Sequence, residues 1–381
     1  MNKNDFVKLD EILECGIFFD KGYPQIKDIN KLKANINNIF DRKIASNEDL
    51  FSTAFYLIYS VAWKLNIYLS SLQKVNKAQA NHEFSDHFKI PALDITEDSI
   101  SILRHLFSAM NREETKLLAL IINPKEMDQN WFFPFILKIL AAAILEEYSG
   151  PIFLQTDIYF DPLSFENTRD NLIDQLKKKT QKAIKSGIYN LNLDASDLVD
   201  QEKSVISEKM LMNLKMVAMA TNLWVRNYQP NGITVSVSGK IGKGAAGFIK
   251  ADEIKDYLKR LLKEGSRLRF VTAGEDISKI VVDYGGKNIS TADQIGLLNT
   301  VSQNEFGLGG IVLDLGIINN LSQFTQFTNY DVCELRGKLA DNLKKENSYQ
   351  EIIHTCNIQK KIGVSDKYAM KMIQFPRPSD Y

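Results

Sequence analysis

Histidine and cysteine are scarce in this sequence of 381 residues, which has four of the first and three of the second. None of the histidines ends one of the apolar runs that predict strands; they are His82, His87, His105 and His354. Zinc in proteins is bound mostly by imidazole and thiolate, so we expect neither a zinc site nor another resident cofactor. An odd number of scattered cysteines is typical of a reducing compartment, which predicts a cytoplasmic protein.

An excess of charge is also missing, because 47 lysines and arginines balance 47 aspartates and glutamates. This balance argues against a protein that binds nucleic acids or membrane surfaces, which needs a basic excess. The first residues lack the apolar segment of a signal peptide. The two most apolar stretches, residues 51–63 and 132–145, are shorter than the ~20 residues of a membrane span. We therefore expect a soluble protein with no nucleic-acid or membrane partner.

Two familiar catalytic motifs are absent as well. The sequence has no G-x-S-x-G, the motif that marks a nucleophilic serine. The glycine-rich segment 239–247 (GKIGKGAAG) departs from the P-loop pattern, since Val237 stands where the first glycine is required. Its backbone N–H groups can still face an anion, with Lys243 adding positive charge. Gly242, Lys243 and Gly244 are therefore candidate phosphate-binding residues.

What the sequence does contain is a series of eight short apolar runs that alternate with helical stretches. The runs are residues 89–96, 116–124, 151–160, 188–196, 233–239, 279–286, 309–316 and 331–337. Near-continuous apolar runs between helices are typical of parallel strands that are covered on both faces. Eight such units in about 250 residues predict an α/β fold, a (β/α)8 TIM barrel.

The barrel is expected to occupy residues 88–345. Residues 1–87 show helical periodicity without convincing strands, which predicts an N-terminal helical segment packing on the barrel. Residues 346–381 are expected to form a C-terminal helical tail. A ninth strand-like run at residues 268–273 is interpreted as an edge or loop element.

Polar residues conclude the eight runs, and in a TIM barrel the chemistry lies at the carboxyl ends of the strands. These residues are Asp94, Asn123, Asp157, Asp194, Lys240, Asp283, Asp314 and Glu334 or Arg336. Any one of them could simply cap the next helix. So many carboxylates at one rim cannot all stay ionised unless a cation compensates them. Lys240 is one candidate for that cation, and Mg²⁺ or Mn²⁺ bound to the carboxylates is another.

Several of these segments resemble the class II, metal-dependent ketose-bisphosphate aldolase superfamily, above all its fructose- and tagatose-bisphosphate aldolase branch. The segments that carry the resemblance are IPALDI, GPIFLQTDIYF, QKAIKSGIYNLNLDASDLVD, GITVSVSGKIG and GLGGIVLDLG. The resemblance covers roughly residues 88–345 and is most specific around 150–200 and 232–247. It implies the barrel fold and a sugar phosphate as the ligand.

The resemblance also assigns roles to residues of the third and fourth strands. It implies that Asp157 is the catalytic aspartate that moves a proton during carbon–carbon cleavage. Asp194 and Ser196 match the Asp-x-Ser motif that ends the fourth strand of the family.

The metal-binding positions of the family are replaced in this sequence. Ile158 stands where the first zinc histidine is expected, Lys240 where a glutamate is expected, and Asp314 where the strand-seven histidine is expected. The phosphate-binding Gly-Ser loop after strand seven is reduced to the segment 315–317, with Gly316 at its centre. Isoleucine cannot bind a metal and a protonated lysine repels one, so no residue is assigned to a metal.

Three interpretations stay open at this point. In the first, the protein is a metal-free carbon–carbon lyase in which Lys240 stabilises a developing enolate or phosphate charge or forms a Schiff base. In the second, it is a non-catalytic homologue that binds a sugar phosphate or supports a partner subunit, with Asp157 and Lys240 forming a buried ion pair. In the third, the strand register is shifted and zinc binds elsewhere, against which the histidine content argues.

The candidate site follows from these assignments. The catalytic candidates are Asp157, Lys240 and Asp194, and the candidates for substrate or phosphate binding are Ser196, Gly242, Lys243, Gly244, Asp314 and Gly316. The expected partner is a small sugar phosphate, and a homo-oligomer is left open.

Overall fold

A computed structural model describes residues 3–83, 89–95, 99–115, 117–123, 132–160, 169–195, 198, 211–240, 251–267, 279–283, 292–328, 330 and 332–357. The first part of the chain contains short helices and strands. They are α1 Lys3–Leu13, β1 Ile17–Asp20, β2 Tyr23–Ile26, α2 Ile29–Asn35, a 3₁₀ turn Ile36–Phe40, α3 Arg42–Ala45, α4 Glu48–Lys64, β3 Ile67–Leu69 and α5 Gln73–Ala80.

The following part alternates strands with helices. The strands are β4 Ile90–Asp94, β5 Ala119–Ile121, β6 Gly150–Tyr159, β7 Asn190–Asp194, β8 Ser236–Lys240, β9 Lys279–Asp283, β10 Ile311–Ile318 and β11 Glu334–Leu339. The helices are α6 Ile100–Arg112, α7 Phe132–Leu145, α8 Arg169–Lys185, α9 Leu211–Met219, α10 Arg226–Tyr228, α11 Ala251–Arg267, α12 Ala292–Phe306, α13 Leu321–Phe327 and α14 Glu346–Asn357. A π-helical turn, Ala220–Val225, joins α9 to α10. A strand lies in each of the eight predicted runs, which confirms them, whereas the run at 268–273 lies outside the described residues.

These strands form a curled parallel sheet surrounded by helices. Each strand from β4 to β10 pairs in parallel with the next strand of the chain, and β11 pairs with β4. β3 adds a further parallel pairing to the first residues of β6. Parallel neighbours need crossover connections, and here helices provide them. The predicted α/β class is confirmed, and the arrangement is TIM-barrel-like.

Helix α5 covers the amino-terminal end of this sheet. Asn76 donates a hydrogen bond of 2.9 Å to the hydroxyl of Ser236 in β8, and Gln79 donates one of 3.0 Å to the carbonyl of Cys333. Apolar side chains of α5, its flanks and the sheet interior form one buried cluster: Leu72, Val75, Ala78, Ile90, Ala92, Leu117, Ala119, Ile121 and Phe153. This end of the sheet is packed, and in TIM-barrel proteins the functional site lies at the opposite, carboxyl ends of the strands.

The prediction that the first 80 residues contain no strands is wrong. β1 and β2 form an antiparallel hairpin in which Asp20 pairs with Tyr23. The two turn residues, Lys21 and Gly22, have φ angles of 51° and 87°, and positive φ at both positions is what a type I′ turn requires. Strands of three or four residues give too short a pattern to detect, and lysine is not a residue that favours this turn.

The two most apolar stretches of the sequence lie in core helices. In α4 the side chain of Asn47 caps the first turn by accepting a 3.0 Å hydrogen bond from the backbone N–H of Leu50. Helix α7 is buried on nearly all sides and contacts both α4 and α6, as expected for a helix that is apolar all round. In the described part of the chain, no helix is long and apolar enough to cross a membrane.

Candidate functional site

An ion pair between Asp157 of β6 and Arg336 of β11 lies at the carboxyl ends of the strands. Nη1 of Arg336 donates to Oδ1 of Asp157 at 2.7 Å, and Nη2 donates to Oδ2. Nε of the same guanidinium lies 3.3 Å from Oδ2 of Asp314 on the neighbouring strand β10. One planar cation therefore holds carboxylates from two strands, a geometry that arginine forms and lysine does not.

Two asparagines complete the surroundings of Asp157. The amide of Asn123 donates to Oδ2 at 2.8 Å, and that of Asn192 donates to Oδ1 at 2.9 Å. Oδ1 of Asn123 also accepts the backbone N–H of Asp157 at 2.9 Å. Each carboxylate oxygen thus accepts one charged and one neutral hydrogen bond. This fixes the carboxylate and fills most of its acceptor capacity.

The environment of Asp157 determines its protonation state. Burial alone would raise the pKa of this carboxyl, but the charge of Arg336 and the hydrogen bonds from Arg336, Asn192 and Asn123 outweigh it and hold the pKa below its usual value. Burial alone would lower the pKa of the Arg336 guanidinium. The negative charges of Asp157, Asp314 and Asp94 and the hydrogen bonds to Asp157 outweigh burial and raise this pKa. Both groups are therefore fully ionised at neutral pH.

Lys240 at the end of β8 forms a second ion pair with a different partner. Its Nζ lies 3.1 Å from Oδ2 of Asp194, and the two side chains are 15% and 10% exposed. The two residues are paired in register at the ends of β8 and β7. The predicted ion pair between Asp157 and Lys240 is therefore wrong, because Arg336 is the cation that pairs with Asp157.

A residue that the sequence analysis did not single out fixes the backbone below this second pair. Asn213 of α9 is fully buried and donates to the carbonyls of Ala195 and Lys240 at 2.6 and 3.3 Å. The hydroxyl of Tyr257 donates to Asn213 at 2.7 Å. Asn213 thereby links the end of β7 to the end of β8. An asparagine within a helical stretch carries no sequence pattern that predicts this role.

Asp314 and Gly316 lie where β10 becomes irregular. The ladder between β10 and β11 shifts register between Asp314 and Ile317, and Gly316 has a φ of 65°. Oδ1 of Asp314 accepts the backbone N–H of Gly316 at 3.0 Å. The carboxylate thus supports this bulge with one oxygen and the guanidinium of Arg336 with the other.

Asp94 at the end of β4 also faces Arg336, but its environment has the opposite effect. Burial raises the pKa of its carboxyl above the usual value, and the repulsion from Asp157 and Asp314 adds to this, against the attraction of Arg336 and Lys338. The folded state therefore binds a proton at Asp94 more tightly than the unfolded chain does. Its contribution to stability is present at low pH and is lost as the pH rises through the raised pKa.

We expect Asp94→Asn to be more stable than the wild type at pH 7, since the amide removes a poorly solvated charge. The difference should shrink as the pH falls toward 4, where Asp94 itself becomes neutral. Urea unfolding between pH 7 and pH 4 measures it. Asp256→Asn, which changes a half-exposed carboxylate on α11, serves as the control and should show little difference. A variant that is less stable than the wild type at every pH would contradict this account.

The residues at the aldolase metal positions do not fit a zinc ion. Ile158 is buried in the apolar core, on the face of β6 opposite to Asp157. Lys240 brings a positive charge, and the oxygens of Asp157 and Asp314 already bind Arg336. Among the described residues, no group of three or more histidine, cysteine, aspartate or glutamate side chains could hold a metal.

The predicted site residues divide into three sets. Asp157 and Asp314 meet through Arg336, and Asp194 and Lys240 form their own pair. Gly316 lies beside Asp314 in the bulge of β10. The third set lies outside the described residues: Ser196, Gly242, Lys243, Gly244 and the side chain of Asp283. The sequence pattern gives Arg336 as one of two alternatives at the last strand end and does not assign it to the site. The sequence does contain an indication of its position. Arg336 lies two residues after Glu334, and side chains two residues apart in a strand share a face, so both belong to the interior face of β11.

No protein family matches this sequence, and no curated protein matches it. Solved structures give distant matches. A probable tagatose 6 phosphate kinase from Sinorhizobium meliloti 1021 has a TM-score of 0.48 at 12% identity over 66% of this chain and 64% of that chain. This chain thus spans less than two thirds of that protein.

Two fructose-bisphosphate aldolase structures match over more of their length. The enzyme from Campylobacter jejuni has a TM-score of 0.46 at 14% identity over 71% of this chain and 76% of that chain. A putative one from Coccidioides immitis has a TM-score of 0.41 at 13% identity over 78% of this chain and 100% of that chain. Matches this distant carry no argument about function, which has to come from the site.

Proposed function

We propose that this protein is an aldolase-like (β/α)8 barrel that binds a sugar phosphate at the carboxyl ends of its strands and does not cleave it. The ring of parallel pairings from β4 to β11 and back to β4 supports the barrel classification. The sequence resemblance around residues 150–200 and 232–247 supports the aldolase branch and the sugar phosphate.

The state of Asp157 carries the proposal that the chemistry is lost. A carboxylate that moves a proton in catalysis needs a pKa near the working pH and a lone pair directed at the substrate. Here Arg336, Asn123 and Asn192 all donate to Asp157, and its pKa is lowered rather than raised. The residue at the position of the catalytic aspartate therefore acts as the anionic half of a structural ion pair.

Lys240 supports the binding of an anion. Its ammonium lies at the mouth of the barrel, partly exposed and held by Asp194, and Lys240 belongs to the glycine-rich segment 239–247. A phosphate placed there meets a fixed positive charge. A Schiff base would need a neutral amine instead, and an ammonium paired with a carboxylate does not offer one.

We expect Lys240→Met to bind dihydroxyacetone phosphate at least tenfold more weakly than the wild type, because the phosphate loses its charged partner. Isothermal titration calorimetry measures this. Lys255→Met removes a lysine that pairs with Glu305 on the outer helices and should leave the affinity unchanged. Equal affinities in the two variants would show that phosphate does not bind at Lys240.

A second measurement tests whether the protein cleaves its ligand. Wild-type protein supplied with Zn²⁺ and fructose 1,6-bisphosphate should give no turnover in a coupled assay for triose phosphate release. Borohydride treatment with dihydroxyacetone phosphate should give no adduct at Lys240. Stoichiometric zinc with turnover, or a trapped adduct, would instead establish an enzyme.

A further inference from the structure

Gln155 in β6 has a buried amide that no described residue satisfies. The residue is 1% exposed, and neither Nε2 nor Oε1 has a hydrogen-bond partner among the described residues. Alternate residues of a strand share a face, so Gln155 lies on the same interior face of β6 as Asp157, one step further from the mouth. A buried primary amide without hydrogen-bond partners costs free energy. This indicates that a bound ligand or water molecule forms hydrogen bonds with it.

A second unsatisfied group lies at the same level of the sheet. The register pairs Asp94 of β4 with Ile121 of β5, and Ile121 with Gln155 of β6. Oδ1 of Asp94 is buried and, within the described part of the chain, has no hydrogen-bond partner either. The side chain between them, Ile121, is apolar and packs in the interior cluster. Asp94 and Gln155 thus flank an apolar floor beneath the Asp157–Arg336 pair.

The surrounding charges restrict what this floor can hold. Asp94, Asp157 and Asp314 disfavour an anion such as a phosphate. The guanidinium of Arg336, which interacts with all three carboxylates, and the ammonium of Lys338, which attracts Asp94, disfavour a cation. A neutral group that both donates and accepts matches Gln155, which offers a donor and an acceptor, and Oδ1 of Asp94, which is an acceptor when ionised. A hydroxyl group has this combination.

We propose that Gln155 and Asp94 form a subsite for a neutral hydroxyl group at the floor of the barrel mouth. The hydroxyl comes either from the bound ligand, which rests on the proposed sugar-phosphate function, or from an ordered water molecule. In the first case the ligand lies with its phosphate at Lys240 and its hydroxylated end toward Gln155. In the second case the water is part of the fold.

The test compares Gln155→Met with the wild type, since methionine keeps the length of the side chain and removes both polar atoms. The probes are dihydroxyacetone phosphate, phosphate-free dihydroxyacetone and inorganic phosphate, each titrated by calorimetry. We expect the variant to bind the two hydroxylated probes about tenfold more weakly and inorganic phosphate equally well. Gln350→Met changes a glutamine on the outer helix α14 and should change none of these affinities.

Asp94→Ala provides a second variant on another strand, in case Gln155→Met folds poorly, and circular dichroism checks both. If the probes bind the variants and the wild type alike, a crystal structure of the wild type distinguishes the remaining cases. An ordered oxygen about 3 Å from the amide of Gln155 would identify water as the hydroxyl. Unchanged affinities without such an oxygen would overturn the subsite.

The outcomes also separate this inference from the proposed function. In one outcome, the wild-type protein binds inorganic phosphate, the hydroxylated part of the probe adds no affinity, and no ordered oxygen lies at Gln155. This result would support the proposed function and contradict the subsite. In the converse outcome, the wild-type protein binds no phosphate but an ordered oxygen lies at Gln155. This result would support the subsite and contradict the proposed function.

Discussion

Arg336→Met should destabilise the protein by about 3–5 kcal/mol, the usual cost of removing one partner of a buried ion pair. The guanidinium side chain is only 8% exposed, and its loss leaves Asp157 and Asp314 without the cation that pairs with both of them. Urea unfolding at pH 7 measures the difference. A typical domain is stable by ~5–15 kcal/mol, so this one substitution removes a large part of the total.

The pH dependence of this variant distinguishes lost charge compensation from lost packing. In the wild type the pKa of Asp157 lies below its ordinary value of 3.8, so its contribution to stability is present above that value and is lost as the pH falls below it. Without Arg336 only the hydrogen bonds from Asn123 and Asn192 oppose the burial of Asp157, and we expect its pKa to rise. The variant should therefore regain stability relative to the wild type as the pH falls from 7 to 5.

Two further variants provide controls for Arg336→Met. Arg260→Met removes a half-exposed arginine that pairs with Asp256 one turn away on α11 and should cost less than about 0.5 kcal/mol. Adding Asp157→Asn to Arg336→Met should recover part of the lost stability, because it removes the uncompensated charge. A loss below about 1 kcal/mol in Arg336→Met, with no pH dependence, would show that Asp157 does not need this cation.

The strands of the curled parallel sheet could be predicted because they are buried on both faces. A parallel strand that is covered on both faces consists of apolar residues on both faces, and each of β4 to β11 overlaps such a run. The hairpin of β1 and β2 gives no such signal, since β1 is mostly exposed and each strand has four residues. The α/β class could be predicted from the eight apolar runs that alternate with helices. The wrong prediction concerned the short strands of the first 80 residues.

The site could be predicted in part, for a geometrical reason. The end of an apolar run gives the height of a residue along the sheet, which predicts that Asp157 and Asp314 lie toward the carboxyl ends of two strands, and they lie in β6 and β10. Which cation reaches which carboxylate depends on the relative stagger of strands that are far apart in the chain. Asp157 and Arg336 are separated by 179 positions, and the sequence pattern holds no information on that distance. For this reason the sequence analysis pairs Asp157 with Lys240, whereas in the structure Asp157 pairs with Arg336 and Lys240 pairs with Asp194.

Gly310→Ala should be the most damaging glycine substitution near the amino-terminal end of β10, with an expected loss of about 3 kcal/mol or more. Gly310 has a φ of 131°, where a residue with a Cβ is strained by about 1–3 kcal/mol. The added Cβ would overlap Oδ1 of Asn299 and lie 3.0 Å from Cβ of Cys333. Asn299 cannot simply move away, because the same Oδ1 accepts the backbone N–H of Ile311 at 2.8 Å. Strain and overpacking therefore add to each other.

Gly316→Ala at the other end of β10 is the matched control, because it isolates the backbone contribution. Gly316 also has a positive φ, of 65°, but no atom lies within 4 Å of the position that its Cβ would occupy. This variant should lose about 1–2 kcal/mol, the usual cost of the left-handed conformation. Thermal and urea unfolding of both variants measure the difference, which represents the clash with Asn299. Equal losses would mean that Asn299 relocates without cost, and that the start of β10 is packed less tightly than its hydrogen bonds indicate.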